Sequence, residues 1–219
     1  MCFSATASFT TAAVTGALGA VCLSRVQARR DLLLAAMPLV FAAQQGLEGL
    51  LWLRMDGGAP SGGGLPLAYL IFARAVWPVF APMAALLAEP IAARRRLIAP
   101  WTLLGVGVAT YLLSGLLGHP HSAALAEGHI AYDFENAQAP SYLISLAYLA
   151  AISLPLLLST QASVKVLGAV VLTGSVVAYA FYLQTFQSVW CYFAAAASVV
   201  LLAHFQWARR GAALAGRGA

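Results

Sequence analysis

The sequence predicts an all-α polytopic membrane protein, a bundle of seven transmembrane helices forming a single domain over residues 1–219, with the N-terminus outside and the C-terminus in the cytoplasm. Three observations carry that expectation. The chain is 62% hydrophobic and only 9% charged, whereas soluble globular proteins are about a quarter charged. Seven apolar stretches recur along it, each near the roughly 20 residues that cross a bilayer. The positive charges, which set a net charge of +5, fall in short clusters between those stretches. That is the pattern of membrane topology and not of a nucleic-acid surface.

The spans are placed near 5–23, 32–53, 66–88, 98–117, 141–160, 164–183 and 188–207. The first charge is Arg25, after the first apolar run, so that run reads as a retained span and not as a cleaved signal. It carries Ser4, Ser8, Thr11 and Thr15 at helical spacing, beside a small-residue face of Ala12, Gly16 and Ala20. Both are helix-packing devices in lipid. Pro78, Pro82 and Pro155 should bend the third and fifth spans. Arg25, Arg29 and Arg30 occupy the first loop, Arg94, Arg95 and Arg96 the third, Lys165 the fifth, and Arg209, Arg210 and Arg217 the tail. The intervening loops hold Arg54 with Asp56, then Glu127, Asp133 and Glu135, then the uncharged QTFQ. Positive residues stay inside, which sets the orientation.

The stretches MCFSATASF, QQGLEGLLW, GHIAYD and SVWCYFAA resemble those of a bacterial integral membrane family of unknown function, DUF6629. The resemblance spans most of the chain. It implies a multi-pass protein of the bacterial cytoplasmic membrane and brings no activity with it.

Gln44, Gln45 and Glu48 interrupt the apolar run FAAQQGLEGLLWLR. Phe41, Gln45, Glu48 and Trp52 share one helical stripe, and Gln44 flanks it. Glu48 lies about 9 Å below Arg54 along its helix, and Arg74 about 12 Å below Pro66 on the next, antiparallel helix. An acid or arginine in mid-membrane costs about 2.5–3.5 kcal/mol, so the two are expected to face inward and pair. Trp77 borders them. Tyr179 and Tyr182 approach from the sixth span, and Trp190, Cys191 and Tyr192 open the seventh. Together these residues suggest an aromatic-walled, polar-floored cavity open to the outside. An internal ion pair that only fixes helix register, with aromatics anchoring span ends, is the structural alternative.

The leading functional expectation is therefore non-enzymatic: binding or passage of a small molecule or ion. One alternative is a membrane-embedded metal enzyme using His119, His121, His129 and Asp133, whose side chains suit zinc or copper but match no specific ligand spacing. His204 lies near the opposite end of the bundle, a departure from seven-helix zinc amidohydrolases of the alkaline ceramidase type, which this loop weakly resembles. A second alternative is a structural or assembly subunit without a ligand. No lysine lies in the middle of the seventh span, which disfavours a retinal Schiff base. No Gly-rich phosphate loop, CxxC or Ser/His/Asp signature is legible, and no cofactor is indicated. Cys2 and Cys191 should both lie near the outer face, as separate thiols or as a disulfide. The partner expected from composition is the lipid bilayer. A reporter active only in the cytoplasm, fused after Ala219, is expected to be active; a well-expressed but silent fusion refutes the orientation.

Overall fold

The computed structural model describes residues 4–55, 61–119, 121–126, 128–133, 142–181, 193 and 195–207. Among them the chain is mostly helical. Helices α1 (Ala5–Leu23) and α2 (Leu32–Arg54) are followed by α3 (Gly64–Ala88) and α4 (Ala92–Leu117). Then come α5 (Tyr142–Leu157), α6 (Ala162–Phe181) and α7 (Ala195–Trp207). The first four are long and apolar enough to cross a membrane. Helices α5 and α7 are apolar and shorter within the described residues, and α6 is apolar over Ala162–Ala178. The 16 residues of α5 reach only about 24 Å, because the chain turns at Leu158–Gln161 instead of continuing to the expected residue 160. Helix α4 begins six residues earlier than expected and takes Arg94, Arg95 and Arg96 into its first turns, where they are exposed. Arginine is a good helix former, and its long stem lets the charge reach water.

Packing of α1 on α2 uses small residues. A side chain at Gly19 would run into Leu39, and one at Gly49 would run into the ring of Phe9. The threonine hydroxyls of α1 close onto their own helix, Thr11 Oγ1 donating to Ala7 O at 2.9 Å and Thr15 Oγ1 to Thr11 O at 2.7 Å. These two hydroxyls of the stripe are therefore satisfied locally, whereas Ser8 Oγ is buried with no hydrogen-bond partner among the described residues.

Helix α3 departs from α-geometry. Over Phe72–Val76 it widens into a π-turn, and the Trp77 amide bonds to Phe72 O. Residue 78 is proline and has no amide. The Ala73 carbonyl thus loses both its normal donor and the donor that a continued π-turn would supply. The Tyr148 hydroxyl of α5 donates to it at 2.6 Å. Four residues on, Pro82 cannot serve the Pro78 carbonyl. Gly105 of α4 packs directly against that oxygen, where any side chain would collide. The two prolines therefore dock α3 onto its neighbours as well as bending it.

The expected all-α architecture is modified at one end. Ser61–Gly62 (β1), Ser122–Ala126 (β2) and His129–Asp133 (β3) form an antiparallel sheet in the order β1-β2-β3. Ser61 pairs with Ala123, and Ala124 with Ala131. Gly128, at φ +77°, sits in the β2–β3 turn, where a left-handed backbone favours glycine. The sheet joins the α2–α3 loop to the α4–α5 loop, so these loops share an end of the bundle. Its alanine-rich strands carry little intrinsic strand signal, and β1 meets β2 only through tertiary contact.

At the other end Glu89, 1% exposed, follows α3. Its Oε1 accepts from the Ile91 amide at 3.0 Å and the Thr160 hydroxyl at 2.7 Å. Its Oε2 accepts from the Thr160 amide at 2.7 Å and the Ser159 hydroxyl at 3.0 Å. Gln161 Nε2 donates to Ala88 O at 2.9 Å beside it. The α3–α4 and α5–α6 turns are thus clasped through one carboxylate. Burial alone would raise the Glu89 carboxyl, but the hydrogen bonds from Thr160, Ile91 and Ser159 outweigh it and hold the group below its ordinary value of 4.5. A carboxylate depressed in the folded state contributes stability above its ordinary value and loses it as the pH falls through the depressed one. Wild-type protein is therefore expected to melt above Glu89→Gln at neutral pH, with the gap closing below about pH 4. A gap that persists at low pH would refute the assignment.

Candidate functional site

Two apolar cores divide the bundle. One contains Met37 and Phe41 of α2, Trp77 and Ala81 of α3, Ile152 and Leu156 of α5, and residues of α6 and α7. The other contains Leu51 of α2, Tyr69 and Leu70 of α3, Leu116 of α4, and Ala123, Ile130 and Tyr132 of the sheet. Tyr69 and Tyr132 stack there with ring centroids 4.7 Å apart.

The residues singled out in the sequence fall between these cores. Along α2 the order is Phe41, then Gln44, Gln45 and Glu48, then Leu51. Along α3, running the other way, it is Leu70, Arg74, Trp77. Gln44, Gln45, Glu48 and Arg74 are all buried. They make a polar layer in an otherwise apolar interior. Gln45 Nε2 donates to Glu48 Oε2 at 3.0 Å, one helical turn apart. Trp77 Nε1 donates to Gln44 Oε1 at 2.6 Å and so links α3 to α2. Trp77 also stacks on Phe41 at 4.1 Å, which holds the indole against the layer.

The Trp77 contact fixes the Gln44 amide. An indole N–H only donates, so the amide oxygen must face it and the Nε2 must point away. That Nε2 is buried without a hydrogen-bond acceptor among the described residues. Leaving such a donor unmet costs about 1–3 kcal/mol. Arg74 occupies the π-turn itself, and π-turns concentrate at functional sites. A narrow apolar crevice lined by Met37, Phe41, Trp77, Ala81, Tyr148 and Ile152 reaches the edge of the layer.

The remaining site expectations fare differently. Trp52 is half-buried and packs against the sheet-side core, and its Nε1 is buried without a partner. Tyr179 lies in α6 with its side chain outside the described residues. Tyr182, Trp190, Cys191 and Tyr192, like Cys2, also lie outside them. Cys22 is a free, buried thiol at the end of α1. His119 Nδ1 bonds to Gly115 O at 2.9 Å and His121 Nδ1 to His119 O at 3.2 Å, while His129 is buried in β3. The Asp133 side chain is not among those described. Among the described residues no three His, Cys, Asp or Glu side chains gather closely enough to hold a metal ion.

Sequence reasoning missed Tyr148. Its signal is the proline at 78, which implies an orphaned carbonyl, but nothing in the sequence says which helix supplies the donor. Tyr148→Phe is expected to lower the melting temperature, at a cost of about 1–3 kcal/mol for the unmet Ala73 carbonyl; unchanged stability would show that carbonyl to be satisfied otherwise.

Four helices long and apolar enough to cross a membrane, with a buried layer of amide, carboxylate and guanidinium groups among them, mark an α-helical membrane protein with a polar interior. The chain belongs to the family of unknown function DUF6629, whose model matches residues 1–217. No curated protein and no solved structure matches it.

Proposed function

We propose that this protein is a seven-span bundle, N-terminus out and C-terminus in the cytoplasm, that binds or passes a small molecule or ion at the polar layer between α2 and α3. The observation that carries this reading is the buried Gln44 amide, whose oxygen is committed to Trp77 and whose Nε2 has no acceptor among the described residues. In hydrocarbon such a donor is costly, and a polar ligand or ion-borne water would satisfy it. Glu48 supplies the acceptor chemistry and Arg74 the compensating charge. The two fall in the same layer of antiparallel helices, which supports their pairing. The orientation draws on the positive-inside rule. The seven-fold crossing draws on the loops at each end: the sheet gathers the α2–α3 and α4–α5 loops, and Glu89 gathers the α3–α4 and α5–α6 turns.

A double-mutant cycle tests the layer. If Glu48 and Arg74 pair, Glu48→Gln and Arg74→Met should each destabilise the detergent-purified protein by about 3–5 kcal/mol. The double substitution should then cost less than the sum. Strictly additive losses would remove the pair. If the layer holds a ligand, native mass spectrometry of the wild type should show a co-purifying small molecule or ion that the folded double variant has lost. Identical spectra from the two would remove the binding reading.

A further inference from the structure

Two groups from separate helices meet at the bundle end opposite the sheet. Ser163 stands in the first turn of α6, and its Oγ is 2.5 Å from Nδ1 of His204 on α7. Asp31, just before α2, lies beyond ion-pair distance of His204 and bears on the imidazole only at longer range; it lies 4.0 Å from Arg30 Nε. Phe205 meets the His204 ring edge-on at 4.8 Å. Ser163, His204 and Asp31 are all half-buried, so they are held in place and still reachable.

The chemistry of the Ser163–His204 pair is that of an activated hydroxyl. With its proton on Nε2, the imidazole presents a lone pair at Nδ1, and the Ser163 hydroxyl donates to it. The Asp31 carboxylate adds only a longer-range field that favours the imidazolium formed when the proton crosses. The first-turn amides of α6 have no acceptor within the helix and sit at its positive end, beside the nucleophile, where an oxyanion would form. The surroundings indicate the substrate. Leu32 follows Asp31, Val166 lies one turn from Ser163, and Trp207 one turn from His204; all three are exposed. Arg30 adds an exposed positive charge.

We propose that Ser163 and His204 form a hydrolytic site for acyl esters of anionic amphiphiles at the arginine-rich end of the bundle. The Ser163 proton passes to His204 Nδ1 as Oγ bonds to the acyl carbon. The carbonyl electron pair moves to oxygen and then returns, expelling the alcohol, which takes the proton from His204. Water attacks the acyl-serine, giving a proton to His204. The carboxylic acid departs as Ser163 regains that proton.

The test uses the detergent-purified full chain and a long-chain alkyl fluorophosphonate. Oγ–P bond formation would expel fluoride, with the proton accepted by His204. The expected result is a single adduct that maps to Ser163, absent in Ser163→Ala and formed at least tenfold more slowly in His204→Gln. Wild-type protein that is monodisperse and helical yet forms no Ser163 adduct would overturn the proposal. Equal labelling rates in folded His204→Gln would also overturn it. A fluorophosphonate with a cationic head group reacting as fast as an anionic one would overturn the substrate class.

Discussion

The structure depends on a shortage of donors in α3. A helix in hydrocarbon has no water to replace a missing amide, so each orphaned carbonyl must find a partner inside the protein. Pro78 and Pro82 create two such demands within a little over one turn. The hydroxyl of Tyr148 meets the first and brings α5 onto α3. The second carbonyl is approached by Gly105, whose lack of a side chain lets α4 come into backbone contact. The π-turn absorbs the altered register and carries Arg74 within it. The same local irregularity therefore sets the position of three helices and of the buried cation.

Around that helix the interior is layered. Apolar side chains fill both halves of the bundle, and the amides of Gln44 and Gln45, the Glu48 carboxylate and Arg74 lie between them. Charges so placed oppose insertion, by about 2.5–3.5 kcal/mol each, so the layer makes a net demand on stability that ordinary packing would not. Trp77 is the hinge of its chemistry. Its ring belongs to one apolar core, while its N–H holds the Gln44 amide in the orientation that leaves a donor open.

The two ends of the bundle are closed by different physics. At one, short strands pair backbone groups that helix ends and loops would otherwise leave exposed. At the other, a carboxylate gathers amides and hydroxyls from two turns. The second end also brings together Ser163 and His204, 41 residues apart in the chain. Both ends couple loops that are distant in sequence, and this coupling gives the helices between them a defined arrangement.

Composition alone determined the solvent, and hydrophobic length determined the first spans: residues 5–23 were legible as α1, 32–53 as α2 within one residue, and 66–88 as α3 within two at its start. The burial of Gln44, Gln45, Glu48 and Arg74 was legible too, because polar groups inside apolar runs have nowhere cheap to go but inward. Other features were not legible, and each turns on a contact between elements far apart in the chain. Glu89 shows no sign of its partners until Thr160 folds against it. Tyr148 shows none until Pro78 leaves a carbonyl beside it. Ser163 and His204 carry no spacing signal, since two separate helices supply them. The β2–β3 hairpin is local, and it gains its third strand only when Ser61 meets Ala123. Periodicity reports which face of an element avoids water. Which partner meets a given donor or acceptor is set by how the helices pack, and that was decided in the tertiary structure, where the bilayer leaves no other source of hydrogen bonds.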